Sequence, residues 1–164
     1  MSQPKISVPK TQFDYMLIGV GLLGLLTMAI ITVINFDQLP ATIPTHFNAS
    51  GEPDSYGDKS TLWFILLVAA ALYFIILLIN RTPHLVNYSV PITPENAERQ
   101  YQNLQRLNRT MAAVLAICFA YIQHAIIQMS LGDRESLGLW FALVFVGAIF
   151  AVIAYYLYRA RLIQ

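Results

Sequence analysis

LPATIPTHFNASGEPDSYGDKSTLW, Leu39 to Trp63, is the stretch on which the reading of this chain turns. It is polar, it holds two X-Pro steps and an Asn-Ala-Ser-Gly turn, and it carries the acids Glu52, Asp54 and Asp58. On both sides the sequence is apolar: no charge follows Asp14 up to Phe36, and none interrupts Thr61 to Asn80. At 1.5 Å per residue, about 20 helical residues cross a hydrocarbon core of roughly 30 Å. The flanks, about 15–36 and 61–80, therefore read as membrane spans, and residues 37–60 as a loop held at one face of a bilayer. A cleaved signal peptide fits the first span less well, because such apolar cores run only about 7–15 residues.

Composition agrees. Of 164 residues, 57% are hydrophobic and 12% charged, against roughly 45–50% and 25% in soluble domains. A domain this small has no core large enough to hide that excess, so it belongs in lipid. A net charge of +1 lacks the basic footprint of a nucleic-acid-binding protein. Cys118 stands alone in an apolar run and forms neither an intrachain disulfide nor a cysteine cluster.

Two further spans follow, at about 109–130 and 137–158. In the third, Ala112, Ala116 and Ala120 step by four residues toward His124 and Gln128, a small-residue seam of the kind that marks helix contacts in membranes. Gly19, Gly21 and Gly24 in the first span, and Gly147 with Ala151 in the fourth, suggest similar close approaches. The polar segment 81–108 contains its own helix signal. Thr93 suits an N-cap, Pro94 the first helical position, and Glu95 the positive end of the helix dipole. Ala97, Tyr101, Leu104 and Asn108 then recur at helical spacing, which predicts an amphipathic helix near the headgroups that bends or continues into the third span. Residues Met1 to Phe13 read as a short frayed lead-in.

The expected fold is thus an all-α membrane protein of four transmembrane helices, a single domain over 1–164. Four spans place both termini on one side. That side holds Lys5, Lys10, Arg81, Arg99, Arg106, Arg109, Arg159 and Arg161, whereas the other holds only Lys59 and Arg134. By the positive-inside rule the termini and the amphipathic helix are cytoplasmic, and the 37–60 loop faces outward.

The motif LP-x-x-IPTHFN-x-x-G-x-PD-x-Y between two membrane helices resembles the bacterial domain-of-unknown-function family, number 1648, found at the start of SdpI-like immunity proteins. The residues that carry the resemblance include Leu39, Pro40, Ile43, Pro44, His46, Phe47, Asn48, Gly51, Pro53, Asp54, Tyr56 and Gly57. The resemblance covers about Tyr15 to Asn80, and Asn87 to Tyr101 looks like the connecting segment of small four-span members. It implies a bacterial inner-membrane protein and supplies no established chemistry.

Read physically, Pro40 and Pro44 hold the loop extended, while Asn48–Gly51 and Pro53–Asp54 followed by Gly57 are turn chemistry. Pro44, His46, Phe47, Asn48, Gly51, Asp54, Tyr56 and Gly57 form the candidate ligand or partner loop. His46 and Asp54, with His124 at the outer end of the third span, offer nitrogen and oxygen ligands for a divalent metal such as zinc, although no recognised ligand spacing is present. The competing reading is that His46 and Asn48 tie the loop to itself or to helix ends. An ionisable residue within a span usually faces the bundle, which predicts that for His124; near the interface it would bridge helices.

No Ser/His/Asp order, HExxH or phosphate-cradling glycine loop occurs, so an enzyme is not expected. No charge interrupts a span, which argues against a transporter. What remains is a binding, sensing or immunity-type protein with a rigid outward loop. The alternatives are an accessory subunit of a larger membrane complex and a metal-binding membrane protein. Its expected partners are the lipid bilayer and either another membrane protein or a second copy of itself.

Overall fold

The computed structural model describes residues 3–164; Met1 and Ser2 of the lead-in lie outside the described residues. Four helices long and apolar enough to cross a membrane run in order: α1 (Gln12–Asn35), α2 (Thr61–Ile79), α3 (Ala97–Leu131) and α4 (Leu139–Leu162). Between α1 and α2 lies an antiparallel hairpin, β1 (Thr42–Phe47) and β2 (Pro53–Asp58). A short 3-10 turn at Pro83–Leu85 follows α2. The up-and-down order brings both termini to one end of the bundle and the hairpin to the other.

The α1–α2–α3 core forms where small residues let backbones meet. Leu25, Met28, Ala69, Tyr73, Ala112 and Ala116 make one buried cluster. A Cβ on Gly24 would sit 3.2 Å from the Ala116 backbone, and one on Gly21 would overlap the Tyr73 ring. Lipid supplies no hydrophobic drive between helices, so such packing and interhelical hydrogen bonds must hold them together. The Tyr73 hydroxyl donates to the Ile18 carbonyl (2.7 Å). Buried Gln123 donates to the Met28 carbonyl (3.1 Å) and to the Thr32 hydroxyl. Gly19 and Gly147 have no neighbour that an added Cβ would meet, and Ala151 is exposed, so these residues do not form the close approaches that spacing suggested.

α4 instead joins the bundle at its ends. Near the termini, Gln100 and Asn103 of α3 donate to the carbonyls of Ala160 (2.7 Å) and Tyr156 (2.9 Å). At the hairpin end, the Tyr121 hydroxyl donates to the Leu137 carbonyl (2.8 Å) and its ring stacks on Phe141. Between these ends Leu143, Val144 and Phe150 face outward.

The 81–108 region departs from its expected form at the start of its helix, which then continues into the third span. The helix begins at Ala97 rather than at Pro94, because the Asn96 side chain accepts from the Thr93 N–H (2.9 Å) and donates to the Pro91 carbonyl (3.0 Å). Such local bonds compete with helix geometry. From Ala97 the helix then runs unbroken through 35 residues, about 52 Å at 1.5 Å per residue and so longer than a hydrocarbon core is thick. Its first turns pack on protein: the Tyr101 hydroxyl donates to the Pro4 carbonyl (2.8 Å). Gln3 donates to the Val86 carbonyl (3.0 Å). The described lead-in is therefore pinned, not frayed.

Candidate functional site

The loop folds as a hairpin because its turn residues satisfy one another. The Asn48 side-chain oxygen accepts from the N–H groups of Ser50 (2.9 Å) and Glu52 (3.0 Å), and the Asn48 N–H donates to the Glu52 carbonyl (2.9 Å). Gly51 takes φ of +80°, which glycine adopts without strain. The strands pair Thr42 with Asp58, Ile43 with Gly57 and Pro44 with Tyr56, and two irregularities follow around His46. Pro44, which has no N–H for a ladder, sits beside one of these breaks.

Three anchors hold the hairpin on the bundle. Leu39 and Ile43 are buried with Leu62, Ile126 and Ile127, and Phe47 packs against them. Lys59 donates to the carbonyl of Phe36 (2.9 Å), a free group at the C-terminus of α1, and to that of Leu39 (3.3 Å) in the connection beyond it. The Leu137 N–H donates to the Gly51 carbonyl (2.8 Å), which clips the turn to the α3–α4 connection.

The eight candidate loop residues divide by exposure. Pro44 and Gly51 are buried, and Phe47 and Gly57 half-buried; these shape the hairpin. His46, Asn48, Asp54 and Tyr56 are exposed. His46 Nδ1 lies 2.5 Å from Asp54 Oδ1, with both side chains open to solvent, where an ion pair contributes only about 0–1 kcal/mol. Asp58 accepts from the hydroxyl and N–H of Ser60, which hold its carboxyl below the ordinary carboxylate range. Arg134 is occupied by the Ser136 and Leu137 carbonyls and the Tyr121 hydroxyl. Both basic residues at this end are thus tied to the protein, while Asp37, Glu52, Asp54, Asp58, Asp133 and Glu135 remain exposed or partly so.

His124 does not face the bundle. It lies on the exposed side of α3, while its neighbours Gln123 and Ala125 are buried. The helical wheel explains this, since the seam from Ala112 and Ala116 reaches the core while position 124 has rotated away from it. Among the described residues no three His, Cys, Asp or Glu side chains converge to hold a metal, so His46 and Asp54 meet without His124.

Sequence reasoning missed the buried charge at the opposite end. Asp14 is fully buried and bonds Arg109 (2.8 Å), with Arg106 at 3.5 Å. It also completes a reciprocal cap with Thr11 at the start of α1. The Thr11-x-x-Asp14 spacing is that of a capping box with a carboxylate at N3, and it was the available signal.

The fold defines a multi-pass helical membrane protein. Residues 23–70, a stretch centred on the hairpin, match the model of a domain of unknown function, DUF1648. An uncharacterized protein of Archaeoglobus fulgidus is 27% identical over 152 residues, covering 84% of this chain and 83% of the relative. No solved structure matches the chain.

Proposed function

We propose that this is a non-enzymatic binding protein of the bacterial inner membrane, with its termini in the cytoplasm and its hairpin displayed outward as a recognition surface. The observation that carries the reading is the division within the hairpin. One side is fixed to the bundle by Leu39, Ile43, Lys59 and Gly51, and the other presents His46, Asn48, Asp54 and Tyr56 in fixed relative positions. Preorganised side chains lower the ordering cost of binding, and the aromatic Tyr56, 61% exposed, is of the type enriched at binding hot spots. An immunity-type role, in which the surface meets a toxin or another envelope protein, is one form of this function.

The outward face of α4 favours a second reading, as an accessory subunit. Gly147 and Ala151 have no partner in the chain although they form a small-xxx-small pair. A photo-crosslinking residue placed in cells at Tyr56 separates the two from one placed at Val144. Discrete adducts at Tyr56 that disappear with His46→Ala and Asp54→Ala support recognition by the hairpin. Adducts only from Val144 favour the subunit reading, and none from either site overturns both. Orientation is checked with Ser55→Cys in a Cys118→Ser background: a membrane-impermeant maleimide should label it on intact cells, and labelling only after lysis overturns the outward assignment.

A further inference from the structure

A cavity of about 730 Å³ opens at the termini end, between α1, α2 and the pinned N-terminal segment. Its rim is basic: Lys5 and Lys10 come from the N-terminal segment, Arg81 and His84 from the chain leaving α2, and Arg109 closes the back. No carboxylate lines it. Arg109 is already satisfied by Asp14, but Lys5, Lys10 and Arg81 make no ion pair among the described residues and all three are exposed. Below the rim the lining changes to Ile18, Phe74, Leu77 and Leu78. Phe74 and Leu78 are half exposed on the outer surface of α2, so the apolar part of the cavity continues onto the face that meets lipid.

We propose that this cavity is a binding site for one membrane phospholipid with a net negative headgroup. Lys5, Lys10 and Arg81 take the headgroup phosphate, and an acyl or isoprenoid chain lies along Phe74 and Leu78. A soluble anion would use the basic rim and leave the apolar floor uncovered; a neutral lipid would leave three cations uncompensated. A lipid uses both halves, and it reaches the cavity sideways from the membrane. The Asn80–Gln105 side chains, which bond reciprocally to each other's backbone carbonyls (3.3 and 3.0 Å), fix α2 against α3 beside the site, so the cavity does not depend on a mobile element. The proposal rests on the membrane assignment of the helices and is independent of the hairpin reading.

The test is native mass spectrometry of the full chain released from nanodiscs of phosphatidylcholine with or without one-tenth phosphatidylglycerol. Wild-type protein should retain one phosphatidylglycerol in preference to phosphatidylcholine. Lys5→Gln with Arg81→Gln should reduce that retention by tenfold or more, on the order expected for two cations at a membrane surface. Arg159→Gln with Arg161→Gln removes equal charge from the same end, away from the cavity lining, and should leave retention unchanged. Equal loss in the two double variants, or retention of the two lipids in no more than their nanodisc proportion, overturns the proposal. Displacement of the lipid by millimolar inorganic phosphate assigns the site to a soluble anion instead, and also overturns it. Lys5, Arg81 and Arg161 are exposed and Arg159 is half-buried, and matching thermal transitions confirm that both double variants fold.

Discussion

Asp14 and Arg109 meet at 2.8 Å with both side chains buried, whereas His46 and Asp54 meet at 2.5 Å in the open. The first pair lies at the termini end and joins two helices; the second stands on a hairpin held to the bundle without it, by apolar packing and by bonds to backbone carbonyls. A buried charge must be paired, because desolvation costs several kcal/mol per ion. An exposed pair is already solvated and adds little. The termini end therefore buries an ion pair for structure, while the hairpin end keeps its carboxylates on display and is anchored by Leu39, Ile43 and Lys59. Loss of charge should accordingly damage the two ends very differently.

The largest effect of a lost charge is expected from Arg109→Ala, which leaves the buried Asp14 carboxylate with only the more distant Arg106 and its Thr11 cap and should cost about 3 kcal/mol. Thermal unfolding in detergent measures it, and pairing it with Asp14→Ala should recover part of the loss. His46→Ala, the matched lesion at the hairpin, should change stability by less than about 1 kcal/mol. A similar cost for both would erase the contrast. Ile43→Ala should cost about 2–5 kcal/mol, with amide exchange rising first in residues 42–58. Uniformly raised exchange across the helices would show that the hairpin is not a separately anchored unit.

Between the two ends, Gly21→Ala should cost about 1–3 kcal/mol by overpacking against Tyr73, while Gly19→Ala and Gly147→Ala, which meet nothing, should be close to neutral. The ranking is read from unfolding temperatures, and a damaging Gly147→Ala would reveal a contact to another molecule. The smallest effect is at Asp58. Its carboxyl is held below the ordinary range by Ser60, so the ionised form is the stabilising one. That contribution is complete above the unfolded value near 4 and disappears as pH falls through the lower folded value. Asp58→Asn should remove this slight acid sensitivity from the hairpin's amide exchange and leave its behaviour at pH 7 nearly unchanged.

The four spans were legible because hydropathy is a local sum: a long apolar run with no charge declares itself whatever it later touches. The proline- and asparagine-rich stretch was legible as rigid turn chemistry for the same reason. Its pairing as a hairpin was not, since Pro44 argues against a strand interior and the register depends on contacts of Ile43 with Leu62 and Ile126. Of the candidate site, exposure kept His46, Asn48, Asp54 and Tyr56 on the surface and assigned Pro44 and Gly51 to structure. His124 was misplaced because a position's facing depends on how the whole helix is rotated against its neighbours.

Taken alone, the sequence determined that this chain crosses a membrane four times and carries a stiff polar connection between its first two spans. Those properties follow from composition and local backbone preference, which need no partner. Only the tertiary structure decided that Asp14 meets Arg109 across 95 positions, that Gly21 rather than Gly19 faces a neighbour, and that α4 turns most of its surface away from the others. Each is a choice among surfaces of similar chemistry, and close packing with paired buried charge makes that choice over the whole bundle at once.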